Sequence, residues 1–258
     1  MKTFLKILAG IGAVIVIAII AAMIMTSGMS DAADKFFSAV KSDDYDEAYL
    51  LLSDDFKSNT SKSQLQTYLS NNALTNFKET SWESRSVNGG RGELVGSITT
   101  ESGGVVPISL AFVKGENDWK IYSIKKPSSG IQEETESVQL PSEREQVKLI
   151  VDSMNIFAIS VNEKSMQKFH DHISYIWQTD FSVEKLDEAY GSLYNLEADL
   201  TVLNQQSPQF STKAEISEEG VLVLAGHYPT TPTSVLFNQK YIYEGLSWKL
   251  IGFNMNFE

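Results

Sequence analysis

The sequence predicts an α+β fold written twice behind a membrane segment, and three observations predict it. The stretch Val113-Lys114-Gly115-Glu116-Asn117-Asp118-Trp119-Lys120-Ile121 returns as Ile242-Tyr243-Glu244-Gly245-Leu246-Ser247-Trp248-Lys249-Leu250, which places the two tryptophans 248 − 119 = 129 positions apart. A period that long is a whole domain and not a solenoid unit. In each half, apolar residues at helical spacing give way to apolar residues in alternation. Ahead of both halves, Ile7 to Met25 is a run of 19 residues with no charge and no strongly polar side chain.

That run comes first in chain order. At about 1.5 Å per residue a helix over it is roughly 28 Å long, close to the hydrocarbon thickness of a bilayer. A cleavable signal peptide has a shorter apolar stretch of about 7 to 15 residues and an A-x-A-like site. Here the exit, Thr26-Ser27-Gly28-Met29-Ser30, offers only imperfect cleavage triplets. The reading is an uncleaved single-pass anchor over 7–25, with a secreted or periplasmic chain after cleavage as the alternative. Lys2 and Lys6 precede the run, and Asp31 and Asp34 are the first charges after it. Because Lys and Arg stay on the cytoplasmic side, residues 1–6 are expected as a cytoplasmic tail in a cell (inner) membrane protein whose remaining domains are extracytoplasmic.

The first domain is expected over 30–126. Asp31 to Leu52 reads as an amphipathic helix pair, with Phe36, Phe37, Val40, Ala48, Leu51 and Leu52 apolar and Lys41-Ser42-Asp43-Asp44 as the polar break. A third helix follows around Ser63 to Ser70, with Ser61 or Ser63 as its cap. Strand candidates are Lys78–Val87, Gly92–Thr100, Val105–Lys114 and Trp119–Ile124, separated by Gly-containing turns. Residues 127–142, with Pro127, Gly130, Glu133, Glu134 and Pro141, read as a solvated linker. The second domain, 143–258, restarts with helices over Glu143–Val161, Ser165–Tyr175 and Ser182–Leu193. Its strand candidates are Leu196–Gln206, Gln209–Ser217, Val221–Tyr228, Ser234–Tyr243 and Trp248–Asn254. Each domain is thus three N-terminal helices followed by a curved antiparallel sheet.

That order, with a tryptophan opening the last strand after a Gly-containing turn, resembles the NTF2-like superfamily of cystatin-like cone folds, and its small exported members in particular. The residues that carry it are Phe37, Ala39, Asp44 to Tyr49 and Asp118 to Ile121 in the first half. In the second they are Phe157, Ala158, Lys164 to Phe169 and Ser247 to Leu250. The resemblance implies a bent antiparallel sheet wrapping a long helix, with an internal cavity whose lining differs between members. The second half departs from the pattern in lacking an Asp-Tyr at its helix junction.

Charge and composition narrow the chemistry. Net charge is −12, and −14 once Lys2 and Lys6 are set aside, which argues against nucleic acid or an anionic lipid surface as a partner. Cysteine is absent, which removes disulfides, thiolate metal sites and a cysteine nucleophile. His170 and His172 flank Asp171, but on a helix residues at i and i+2 diverge by about 200°, so a solvated helix end is expected and no metal. Tyr45, Asp46, Tyr49 and Asp54 in the first half, and Tyr175, His227 and Tyr241 in the second, are the raw material for an acid–base site. Tyr45, Tyr49, His227 and Tyr241 are the candidate cavity residues, while Trp119 and Trp248 are structural. No phosphate-binding loop or nucleophile elbow is present.

The expectation is a non-enzymatic, membrane-anchored exported protein that acts as a binding or assembly module of the cell envelope, without a cofactor. Its partner would be another envelope protein on an outer sheet face. The alternatives are a carrier of a small apolar ligand in a cone, or an isomerase- or dehydratase-like enzyme.

Overall fold

A computed structural model describes residues 28–116, 118–127, 140–195 and 199–258. The anchor expected over 7–25 and most of the linker expected over 127–142 lie outside them. Among the described residues no helix is long and apolar enough to cross a membrane. The chain divides into two compact units at Pro127/Ser128, and each is described by itself.

In unit 1, helix α1 (28–41) buries Met29, Ala32, Ala33, Phe36, Phe37 and Val40, a stripe at i, i+3, i+4 and i+7. It ends where Asp43 takes a left-handed conformation, φ 56°. Three short helices follow: α2 (Tyr45–Leu50), α3 (Asp54–Asn59) and α4 (Lys62–Asn71), capped by Asp44, Ser53 and Ser61 in turn. Ser61 and Gln64 close a full capping box on α4. The sheet is an antiparallel meander in the order β1 (Phe77–Asn88), β2 (Arg91–Thr100), β3 (Val105–Lys114), β4 (Trp119–Lys125). Its inward row on β2 and β3 includes Leu94, Ile98, Ile108, Leu110 and Phe112, which alternate with half-exposed residues. Helix α1 lies directly on this row: a methyl added at Gly92 would sit 2.2 Å from Met29 Sδ, so the methionine side chain would have to shift to admit one.

In unit 2, α5 (Glu143–Glu163), capped by Ser142 and closed by left-handed Lys164, is the long helix. After it come α6 (Gln167–His172), α7 (Tyr175–Asp180), α8 (Val183–Tyr190) and two 3-10 segments, Gly191–Asn195 and Leu200–Gln205. The sheet runs β5 (Gln209–Phe210), β7 (Val221–Tyr228), β8 (Val235–Glu244), β9 (Ser247–Phe257), all antiparallel, and β6 (Glu215–Ile216) also pairs with β7.

Several sequence expectations need correcting. Each unit has four α-helices among the described residues, not three. The additions, α3 and α7, have six residues each, too few to show a period; their signal is the capping serine. The helix expected over Ser165–Tyr175 stops at His172, because Ile173 is extended and forms a parallel bridge with Leu250. Leu196–Gln206 is not a strand in its described part: Asp199 caps a 3-10 segment whose Leu200 and Leu203 are buried three apart. The strand expected over Gln209–Ser217 is two short pieces, β5 and β6, that pair with opposite ends of β7.

A set of contacts at the helix elbow and the last hairpin recurs in both units. Leu52 bridges Ile121 in parallel and Ser53 N–H donates to the Ile121 carbonyl at 2.9 Å; Ile173 bridges Leu250 and Ser174 N–H donates to the Leu250 carbonyl at 2.8 Å. In both, that serine then caps the next helix. The bulge between Ala111 and Phe112 against β4 recurs between Lys240 and Tyr241 against β9. Two offsets relate the halves: 174 − 53 = 121 through the helices, and 250 − 121 = 129 through the last hairpin.

Candidate functional site

The two offsets show where the units differ. On the helices, Ala33, Phe36, Phe37 and Val40 of unit 1 match Met154, Phe157, Ala158 and Val161 of unit 2, and all eight are buried. At three other inward positions the character changes. Ala32 corresponds to Ser153, Leu110 to Gln239 and Phe112 to Tyr241. All six are buried, so unit 2 carries polar groups at core positions where the same architecture in unit 1 is apolar. A fourth exchange, Leu51 to His172, lies at the edge of this cluster.

These four side chains meet. Strand β8 has its alternate residues Val235, Phe237, Gln239 and Tyr241 facing α5, which brings the Tyr241 hydroxyl to 2.9 Å from the Leu149 carbonyl and 3.1 Å from Ser153 Oγ. The same hydroxyl lies in hydrogen-bond contact with Gln239 Oε1. Ser153 Oγ is in turn 3.1 Å from His172 Nε2, at the end of α6. A phenol has one proton, and the Leu149 carbonyl and Gln239 Oε1 can only accept, so Tyr241 satisfies one of them at a time. Ser153 can pass its proton either to Tyr241 or to His172, which links the orientation of the chain to the state of the imidazole. The other end of Gln239 is unsatisfied: Nε2 is buried and has no hydrogen-bond partner. An orphaned buried donor costs about 1 to 3 kcal/mol.

Burial dominates the electrostatics. It pushes the Tyr241 hydroxyl well above its ordinary range, and that of Tyr228 as well. Burial also lowers the His172 pKa, with Lys249 and, more weakly, Lys148 acting in the same direction and Asp152 opposing. Lys249 on β9 is itself held down by burial, against the pull of Glu244. The buried Glu244 carboxylate accepts from the Tyr175 N–H at 3.0 Å and so helps close the start of α7. The cluster is therefore neutral at its centre, and His172 is its only member with exposed surface. It can hold and reorder protons, but Ser153 and Gln239 have no surface on which to meet a substrate.

Of the residues singled out in the sequence, only Tyr241 and His172 belong to this cluster. His172 is not the solvated helix end expected of it. His170 points elsewhere, 3.8 Å from Asp171, as the i, i+2 geometry requires. His227 does not face the interior: on β7 the buried residues are Leu222, Leu224, Gly226 and Tyr228, so His227 has the parity of the other face. Tyr45 and Tyr49 lie against the short helices of unit 1. The Tyr49 hydroxyl donates to the Thr60 carbonyl at 2.8 Å, with the Lys57 carbonyl at 3.2 Å, and Gln66 of α4 stands beside Tyr45. Asp46 pairs with Lys62 and Asp54 with Lys57, both at the surface. Trp119 and Trp248 are both 6% exposed and sit opposite Lys114 and Tyr243 in their hairpins. Among the described residues no group of three or more His, Asp or Glu is placed to hold a metal ion. Ser153 and Gln239 were missed because each looks ordinary alone; aligning the helices at 121 and the strands at 129 exposes both.

What the elements define is an α+β protein whose helices pack on antiparallel sheets. No protein-family model matches the chain, and no curated protein does. Among solved structures it is similar to a cystatin-like protein from Ruminococcus gnavus, at 13% sequence identity and a TM-score of 0.28, over 89% of this chain and 90% of that one. A likeness of that size carries no argument about chemistry or partners.

Proposed function

We propose that this chain is a non-enzymatic binding or assembly module of the cell envelope: two NTF2-like copies displayed outside the membrane by a single anchor over 7–25, with residues 1–6 in the cytoplasm. The observation that carries the reading is that the central core side chains of both units have no accessible surface. A side chain with no water-accessible surface borders no void that could hold even one water. In unit 1 this is true of Phe36, Phe37, Leu94, Ile98, Ile108 and Leu110; in unit 2, of Ile150, Ser153, Phe169, Leu222 and Gln239. Cores covered to this degree favour recognition on the outer surfaces.

One outer feature suits a protein partner. Strand β9 ends its sheet, and past Leu250 its only strand neighbour among the described residues is β8. From Ile251 to Phe257 it has neither charge nor proline. The end strands of unit 1 are guarded, β1 by Lys78, Glu79, Glu83 and Arg85 and β4 by Lys120 and Lys125. An unguarded edge is a template for strand addition by an extended segment of another chain. The test is site-specific photo-crosslinking of the full chain in its membrane, with the probe at Asn256 or at Arg85. A discrete adduct from Asn256 and none from Arg85 supports the module. No adduct from either, together with a small molecule retained in native mass spectrometry, replaces it with a carrier.

A further inference from the structure

All three histidines of the chain, His170, His172 and His227, lie in unit 2. Of these, His172 alone joins the buried polar cluster, and its place in the fold is mechanical. It is the last residue of α6. The next residue, Ile173, makes the parallel bridge to Leu250, and the one after, Ser174, donates to the Leu250 carbonyl and caps α7. The α6–α7 elbow is thus fastened on one side to β9 by backbone bonds, and on the other to α5 through the 3.1 Å contact between His172 Nε2 and Ser153 Oγ. In unit 1 the same elbow is fastened by Leu51 and Leu52, with Lys120 Nζ donating to the Leu50 carbonyl at 3.0 Å and no histidine.

We propose that His172 and the Ser153, Tyr241 and Gln239 cluster beneath it form an acid-sensitive latch, which holds the α6–α7 elbow against α5 and β9 near neutral pH and loosens unit 2, but not unit 1, as the pH falls. The charged and titratable groups around His172 decide the direction. Lys249 on β9 and Lys148 on α5 oppose a proton on the ring, while Asp152 on α5 favours one. Lys148 is paired with Asp152 at i, i+4, which weakens that support. Tyr241 on β8 stays neutral, Glu244 at the end of β8 acts on Lys249, and on α6 itself Asp171 pairs with His170. A protonated ring has two donors and no acceptor. Nε2–H then takes the Ser153 oxygen and Ser153 turns its proton to Tyr241, so the hydrogen bonds reorder while the phenol still serves one of the Leu149 carbonyl and Gln239 Oε1, as before; the cost is the charge. The charge itself stays beside Lys249 in a half-buried place.

The sign follows from linkage. The folded pKa lies below the ordinary value of 6.5, so the unfolded chain takes up the proton first. Stability of unit 2 is full above about 6.5 and is lost as pH falls toward the folded pKa. Below that value both states carry the proton and the loss levels off.

The experiment is hydrogen exchange of the full-length chain at pH 7.5 and pH 5.0, corrected for the intrinsic rate, reading amides of 167–180 in unit 2 and of the equivalent 46–59 in unit 1. The expected result is loss of protection over 167–180 at pH 5.0 with 46–59 unchanged. In His172→Gln, which keeps a polar partner for Ser153 but does not titrate, 167–180 should be equally protected at both pH values. Equal acid loosening in wild type and His172→Gln would overturn the latch, as would equal loosening of the two units or none. An NMR titration of the His172 ring in the folded chain supplies an independent check: a midpoint at or above 6.5 also overturns it. None of these outcomes depends on whether the module binds an envelope partner.

Discussion

Phe112 of unit 1 and Tyr241 of unit 2 occupy one position: the strand before the final hairpin, at the bulge, facing the long helix. Unit 1 surrounds that position with Ala32 and Leu110, and the ring needs nothing more than contact. Unit 2 adds a hydroxyl, and with it Ser153, Gln239 and the second lone pair of the Leu149 carbonyl. The difference teaches that the architecture does not require the polar set, since the other unit is built without it. It also shows that the exchange comes as a group: a buried hydroxyl without a partner costs about 1 to 3 kcal/mol, so a lone Phe-to-Tyr change is unfavourable. One member, Gln239, is left with an unsatisfied amide at a position where unit 1 has Leu110; the orphaned donors of unit 1, Ser30 Oγ and Trp82 Nε1, lie elsewhere.

The largest expected effect probes what the units share. Trp119→Ala and Trp248→Ala each remove a nearly buried indole and should destabilise their own unit by about 3 to 5 kcal/mol. Calorimetry should show one transition lowered in each variant; a single transition lowered in both would mean that the units do not unfold separately. Next comes a graft in the unfavourable direction. Phe112→Tyr should cost unit 1 about 1 to 3 kcal/mol by chemical denaturation, because no serine or glutamine is there to receive the hydroxyl. A neutral result would break the contrast between the interiors.

Non-additivity sharpens the same contrast. Ser153→Ala alone removes the link between Tyr241 and His172 and should cost about 1 to 3 kcal/mol. The triple change Ser153→Ala, Gln239→Leu, Tyr241→Phe rebuilds the interior of unit 1 in unit 2 and should cost clearly less than its three single changes added together, since no polar atom is then orphaned. Strict additivity across the denaturation series would show that the three do not act as a group. The smallest effect concerns caps: Ser53→Ala and Ser174→Ala should each cost about 1 kcal/mol, and by the same amount in both units, because each hydroxyl accepts one N–H at the same elbow.

Much of the fold was legible in the sequence wherever the pattern was local and long enough. The Trp119 and Trp248 hairpins, the alternation of β2, β3, β7 and β8, and the stripes of α1 and α5 all follow from spacing. The six-residue helices α3 and α7 were not legible, since one and a half turns establish no period; α2 and α6, equally short, were read inside longer expected stretches. The serines that cap α3 and α4, Ser53 and Ser61, and those that cap α7 and α8, Ser174 and Ser182, stand eight residues apart in both halves, but that regularity emerges only after the halves are aligned at 121. Of the candidate site, Tyr241 and His172 were visible as residues, while their common partner Ser153 was not. His227 was misplaced because both faces of β7 are apolar in sequence, Val221, Val223 and Ala225 on one and Leu222 and Leu224 on the other, so alternation does not mark the inward face.

By itself, the sequence determined the α+β class, the echoed hairpin, the charge of −12 and the uncharged run over 7–25. These are properties of neighbours along the chain, and local spacing and composition suffice for them. Only the tertiary structure decided that Tyr241 meets Ser153 across 88 residues and Leu149 across 92, that His172 meets Ser153 at the α6–α7 elbow, and that His227 faces away from the interior. A hydrogen bond lasts only where two groups are held within about 3 Å of each other. For partners so far apart in sequence, that distance is set by how the sheet packs on its helix, and no local spacing records it.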